Sequence, residues 1–234
     1  MLKDKSNLVK AFENSIKKSQ DECSNKLEEL RDLSWNINHC FGLYMTNNSK
    51  TKKFSNSLFY WCYIESTEIS GYTLYLTYCG LYRNAFDNIR HVLEMAVQAL
   101  YIDIEHVDSD LKTKLEILKE IEDKREYHVS RLLQEKLNFK NLPCGGLDCK
   151  GILNTTYREL SQLVHPSHEK VVRTIAEMLD IAKNDDFSEI IDCKEVEKVF
   201  NSTKKCMTPF TSYCSWNSQN FSDSPEITAS LLIA

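Results

Sequence analysis

Apolar positions recur every three or four residues along most of the chain, with charged and polar residues between them. From about Asn7 to Phe41 the series runs Val9, Phe12, Ile16, Cys23, Leu27, Leu30, Ile37 and Phe41, which predicts one long amphipathic helix. It should bend near Ser19 and Gln20, where the apolar stripe thins. Thr46 to Lys53 is a polar connector, its three clustered lysines either a solvated loop or a phosphate contact. Ser57 to Cys79 is dense in aromatics: Phe59, Tyr60, Trp61, Tyr63, Tyr72, Tyr75 and Tyr78. Propensity alone would allow a strand there. Length, three- and four-residue spacing and helical neighbours predict a buried helix interrupted near Gly71, with the aromatics as core rather than a base-stacking platform.

Gly80 opens the clearest helix, whose broad apolar face runs from Tyr82 through Ala85, Phe86, Ile89, Val92, Leu93, Ala96, Val97 and Leu100 to Ile104. Ser109 is the expected N-cap of a helix from Leu111 to about Leu137, with Leu115, Leu118, Val129, Leu132 and Leu133 inside. Asn138 to Leu153, with Pro143 and three glycines, predicts a loop, and Asn154, Thr155 and Thr156 are caps for the helix that follows. Pro166 disfavours helical backbone at His165 and ends that helix. Another helix starts at Ser167, with Val171, Val172, Ile175, Met178, Leu179 and Ile181 buried. Asp192 and Glu195 resemble a capping box for a last helix that passes a kink at Pro209.

These elements predict an all-α, single-domain helical bundle of about six or seven helices with a long N-terminal helix. The bundle would occupy residues 1–216. Residues 217–234, polar and then apolar at Leu231 to Ala234, would form a flexible or partner-docking tail. Six glycines and four prolines in 234 residues agree with long uninterrupted helices around one core.

The formal net charge of −5 argues against a general nucleic-acid coat protein, although it leaves room for a local basic cleft. No apolar run approaches the length of a membrane span, and the N-terminus has no signal-peptide core, so a cytoplasmic protein is expected. Nine scattered cysteines, an odd number, predict buried thiols rather than a disulfide framework. Cys144 and Cys149 flank a turn-rich segment, where half of a zinc site competes with the default of a loop holding two free thiols. No metal or cofactor is expected.

One stretch combines polar chemistry with helical geometry. Tyr157, Leu160, Leu163 and Val164 share one arc, while Arg158, Ser161, Gln162 and His165 share the opposite one. Arg158 and His165 are two turns apart, about 10 Å of rise, so their side chains can converge on a phosphate-sized group. On the Tyr82 helix, Arg83, Asp87, Arg90 and Glu94 form a line at steps of four, three and four. The line either satisfies its own charges or pre-orients two arginines to grip an anion.

The Arg158 helix resembles the HEPN superfamily, helical bundles whose hallmark is an arginine followed after four to six residues by a histidine. Here six residues separate Arg158 from His165. Gly80-Leu81-Tyr82-Arg83-Asn84-Ala85-Phe86, with Arg90 and Glu94, also looks like the helix that precedes Tyr-x-x-Leu-Ser-x-x-Val-His in a group of microbial helical proteins. The resemblance covers about Gly80 to Ala182, less than half of the chain. It departs at Glu159, where the family often has Asn, Asp or His. It departs again at Ser167, where some members carry a tyrosine that a partner nucleotidyltransferase modifies, and such a partner is therefore in doubt.

The resemblance implies a metal-independent endoribonuclease of a defence or toxin–antitoxin system, acting on RNA from a homodimer cleft. Arg158 and His165 would be catalytic. Arg83, Arg90, Glu94 and Ser161 would grip substrate or support the catalytic pair, and an antitoxin or other protein partner would accompany the enzyme. His168 is a lesser candidate for moving protons. Two other classes stand beside it: a non-catalytic module that binds a protein through the aromatic helix or apolar tail, and a nucleotide sensor built on the arginine line.

Overall fold

The computed structural model describes residues 9–10, 13–14, 16–17, 21–48, 55–121, 124, 127–137, 148–165 and 192–217. Among them are seven α-helices and no strand, an all-α bundle. They are α1 (Ser24–Asn48), α2 (Leu58–Tyr78), α3 (Tyr82–Glu105), α4 (Leu111–Ile121), α5 (Val129–Arg131), α6 (Cys149–Val164) and α7 (Cys193–Asn217). A π-helical turn, Leu132–Lys136, follows α5 directly.

α3 is the centre of the bundle. Its face of Ala85, Phe86, Ile89, Val92, Leu93, Ala96, Val97 and Leu100 is buried as the periodicity predicts, against α2, α4, α6 and α7, whereas Tyr82 is half-buried and Ile104, the expected end of the face, is exposed. One cluster joins this face to Leu30 and Ile37 of α1, Phe59 and Tyr63 of α2, Leu153 and Leu160 of α6, and Val199 and Phe210 of α7. A satellite of Cys23, Leu27 and Val196 joins the beginnings of α1 and α7.

Local signals place several helix ends. Ser57 caps α2 by accepting from the Tyr60 N–H, as short polar side chains do at this position. At the other end Gly80 adopts φ 70°. Its N–H donates to the Thr77 carbonyl and the Leu81 N–H to the Leu76 carbonyl, the paired bonds of a Schellman turn, which needs a left-handed residue there. Gly80 therefore closes α2 rather than opening α3. Asp192 starts α7, its carboxylate accepting from the Lys194 N–H, while Glu195 turns to Lys198; only the Asp192 half of the expected capping box forms.

Elsewhere the structure corrects the sequence expectations. The chain bends at Cys23, the expected bend at Ser19 and Gln20 lying outside the described residues, and α1 runs on to Asn48 through the start of the expected connector. α2 is continuous through Gly71, whose missing side chain faces open space. The aromatics of α2 divide: Phe59, Tyr60 and Tyr63 are buried, while Trp61, Tyr72 and Tyr75 are exposed. Asp110, not Ser109, caps α4, accepting from the Thr113 N–H at 2.8 Å. That helix stops at Ile121 and leaves Leu115 exposed, so the single helix expected as far as Leu137 is two pieces. α6 begins at Cys149, capped by Asp148, which makes Asn154 to Thr156 helix interior. α7 continues through Pro209. The expected helix after Pro166, His168, Cys144 and the tail beyond residue 217 lie outside the described residues.

A buried ion pair ties α2, α3 and α4 together. The Asp103 carboxylate of α3 accepts from Ser57 Oγ at 2.7 Å, from the Leu58 and Phe59 N–H groups at 2.9 and 3.0 Å, and from Lys114 Nζ at 2.8 Å. A side chain distant in sequence thus satisfies amides at the start of α2 that the helix itself leaves unpaired.

Thiol chemistry also differs from expectation. Cys23 and Cys193 form a disulfide across 170 positions of sequence, with Cα atoms 5.5 Å apart, and Cys149 is disulfide-bonded as well. Cys149 is therefore neither a free loop thiol nor an open zinc ligand. Of the nine, only Cys62, Cys79 and Cys206 are buried free thiols among the described residues, against the expectation of buried thiols for most. The odd total was a poor guide because pairing depends on which helices meet, not on parity.

Candidate functional site

The packing of α3 against α6 sets Arg90 beside the end of α6. Arg90 lies one turn before Glu94, and its Nε and Nη2 both reach Glu94 Oε1 at 3.0 Å. On α6, Tyr157 turns its ring towards the guanidinium, 5.7 Å from Arg90 Cζ to the ring centroid. Pro166 has its predicted effect: α6 ends at Val164, and His165 follows with extended backbone at φ −98° and ψ 91°. The His165 N–H still bonds to the Ser161 carbonyl, and its Nε2 meets Arg90 Nη1 at 2.6 Å.

This contact defines the imidazole. A guanidinium can only donate, so Nε2 is the acceptor and the ring proton sits on Nδ1. In that tautomer the lone pair that a proton-accepting base needs is on Nε2, occupied by Arg90 and free for a proton once that contact opens. Burial works against the charge on Arg90, but the adjacent Glu94 carboxylate outweighs it and holds the guanidinium more firmly protonated than a free arginine. The Tyr157 hydroxyl is pushed up from its ordinary range, first by burial and then by Glu94, against the opposing pull of Arg90.

The six residues singled out from the sequence thus fall into two groups. Arg90, Glu94 and His165 are brought together, and Tyr157 joins them although the sequence marked it only as an apolar-face residue. Arg158, on the exposed side of α6, makes no hydrogen bond or ion pair among the described residues. Arg83 is likewise exposed and unpaired, and it forms no ion pair with Asp87. The expected four-charge line is thus two solvated charges, Arg83 and Asp87, followed by one closed pair, Arg90 with Glu94. Ser161 reaches His165 through its backbone carbonyl.

No family model, curated protein or solved structure matches the chain. The site stands on its own geometry.

Glu159, the departure from the HEPN pattern, has a structural partner: Lys205 of α7 donates to its carboxylate at 3.1 Å. The neighbour of Arg158 is thus used to join α6 to α7. Among the described residues no three His, Cys, Asp or Glu side chains gather as metal ligands. What the arrangement offers is an acceptor nitrogen at the protein surface, a guanidinium held against it, and a second, unpaired guanidinium on the same helix. That set suits proton transfer beside a negatively charged group.

Proposed function

We propose that the α3–α6 face is the catalytic site of an endoribonuclease that works without metal, in a defence or toxin–antitoxin setting. The observation behind the reading is the bond between His165 Nε2 and Arg90, with the Arg158 guanidinium unpaired on the same helix. With Arg90 Nη1 drawn from the ring to a phosphate oxygen, the RNA 2′-hydroxyl would give its proton to the freed His165 Nε2 as its oxygen attacks the neighbouring phosphorus. The P–O5′ bond would then break to leave a 2′,3′-cyclic phosphate, the departing 5′-oxygen taking a proton from water. Arg158 would meet the charge growing on the phosphorane, and Arg90, braced by Glu94, would hold the imidazole at the right tilt until substrate binds. A second copy of the chain across a two-fold axis would bring two such faces to one RNA, concentrating positive charge in a protein that is acidic overall. Arg83 and Ser161 would contact the flanking substrate.

Incubation of the purified protein with total RNA in EDTA tests this. The protein should degrade RNA, and His165→Ala should lose about 10²-fold or more of the rate, the usual contribution of a general base. Equal degradation by both proteins would show that His165 does not move the proton.

A further inference from the structure

The outward face of α2 carries a second unassigned feature. Trp61, Glu65, Glu68, Tyr72 and Tyr75 follow one another at steps of four, three, four and three. At about 100° per residue they fall within one narrow stripe, about 21 Å long by helical rise. All five are exposed: Trp61 is 46 %, Tyr72 57 % and Tyr75 64 % accessible. The opposite face, with Phe59, Tyr63, Ser66, Thr73 and Thr77, is buried in the bundle. An average spacing of 3.5 residues is that of a seam which a second helix can follow along its whole length. Tryptophan and tyrosine are the side chains that most often carry the binding energy of an interface, and here they stand at both ends of the stripe.

The middle of the stripe is acidic. Among the described residues neither Glu65 nor Glu68 forms an ion pair, and Glu68 accepts only from the Tyr72 hydroxyl, at 3.3 Å. This charge selects the occupant. A second copy of the chain is disfavoured: a parallel α2 would set each glutamate against its own copy, and an antiparallel one, in register over the full seam, would do so for Glu68. RNA is disfavoured because its phosphates would meet the two carboxylates. A helix with apolar residues at both ends and lysine or arginine at its centre meets every element of the stripe.

We propose that this face of α2 is a docking seam for a basic amphipathic helix of a partner protein. The seam is separate from the α3–α6 site and does not depend on the ribonuclease reading.

Calorimetric titration of the full chain tests it, with synthetic helices matched in length to α2. One peptide carries a leucine seam with central lysines, another has glutamates in place of the lysines, and an RNA oligonucleotide serves as the third titrant. The basic peptide should bind, and the acidic one about tenfold or more weakly, a difference of one opposed charge pair or so. Trp61→Ala with Tyr75→Ala should weaken the basic peptide to a similar degree. The Glu65→Lys/Glu68→Lys variant should reverse the preference between peptides, an outcome that misfolding cannot imitate. Failure of the basic peptide to bind, equal binding of both peptides, an RNA that competes for Trp61 and Tyr75, or self-association abolished by the charge reversal would each overturn the proposal.

Discussion

Arg90 has five N–H donors, and Glu94 and His165 take three of them. Two remain for a phosphate oxygen, so Arg90 is built chiefly to orient the imidazole, while the unpaired Arg158 is available to substrate. The two roles predict different kinetics. Arg158→Ala should lower the cleavage rate about 10²-fold, as loss of one charge-stabilising donor does. Arg90→Lys, which keeps the charge but loses the planar fork, should lower kcat and leave KM nearly unchanged. Single-turnover cleavage with each variant decides it, and equal effects of both on KM alone would remove the division of labour.

The buried thiols make a separate prediction at this scale. Burial pushes Cys206 up to about 12, and Cys62 likewise, with Glu65 and Asp103 adding to the shift. Both values exceed the ordinary 9.0. The unfolded chain therefore releases these protons first as pH rises, and the folded state holds more protons between the two values. This contribution to stability is intact below the ordinary thiol range and is lost as pH climbs through it. Urea midpoints at neutral and alkaline pH should fall above the ordinary value, and less so in Cys62→Ala.

At the scale of the element, the helix ends show which signals act locally. Ser57 and Gly80 bound α2, and Pro166 stops α6; each works through backbone no more than a few residues away, although only the Pro166 stop agrees with its sequence expectation, Gly80 being expected to open α3. Asp103 acts at a distance. It caps the beginning of α2 from the C-terminal part of α3 and neutralises Lys114, whose side chain is 4 % exposed against 11 % for its own. Its neighbours one and two turns back, Leu100, Ala99 and Ala96, are buried, so Asp103 continues the apolar face of α3, but the periodicity does not say which amides and which ammonium it meets there. Removing it strands a buried ammonium and leaves two amides and a hydroxyl unpaired. Asp103→Ala should therefore cost about 3–5 kcal/mol, the range for breaking a buried pair from one side. A loss below about 1 kcal/mol by urea denaturation would mean that water takes the place of the carboxylate.

The same contrast applies to the aromatics of α2. The sequence shows many aromatic residues at helical spacing, but not which arc meets α1 and α3. The stripe of Trp61, Tyr72 and Tyr75 is outward because Phe59, Tyr63 and Thr73 are the residues the neighbours cover.

Across the whole molecule, the Cys23–Cys193 bridge joins the first described long helix to the last. Together with α3 it links ends of the chain that local sequence does not relate. Closing so long a loop restricts the unfolded chain, and disulfides of this kind contribute about 2–4 kcal/mol. Cys23→Ser and Cys193→Ser should each lower the melting temperature, and the double variant should lower it no further. Additive losses would show that the two sulfurs act separately. Disulfides persist in oxidising surroundings, so the bonded state of Cys23, Cys193 and Cys149 weighs against the expectation of a cytoplasmic protein. No helix among the described residues is long and apolar enough to cross a membrane.

By itself the sequence determined the helical class, most of the buried face of α3, the Pro166 stop and the polar arc of α6, because apolar period and a proline act over a turn or two of chain. Tertiary structure decided that His165 faces Arg90 while Arg158 stays unpaired, that Asp103 caps a helix formed far earlier in the chain, and that Cys23 meets Cys193. Those contacts are made between helices, where the partner of a side chain depends on how two surfaces pack rather than on the residues beside it.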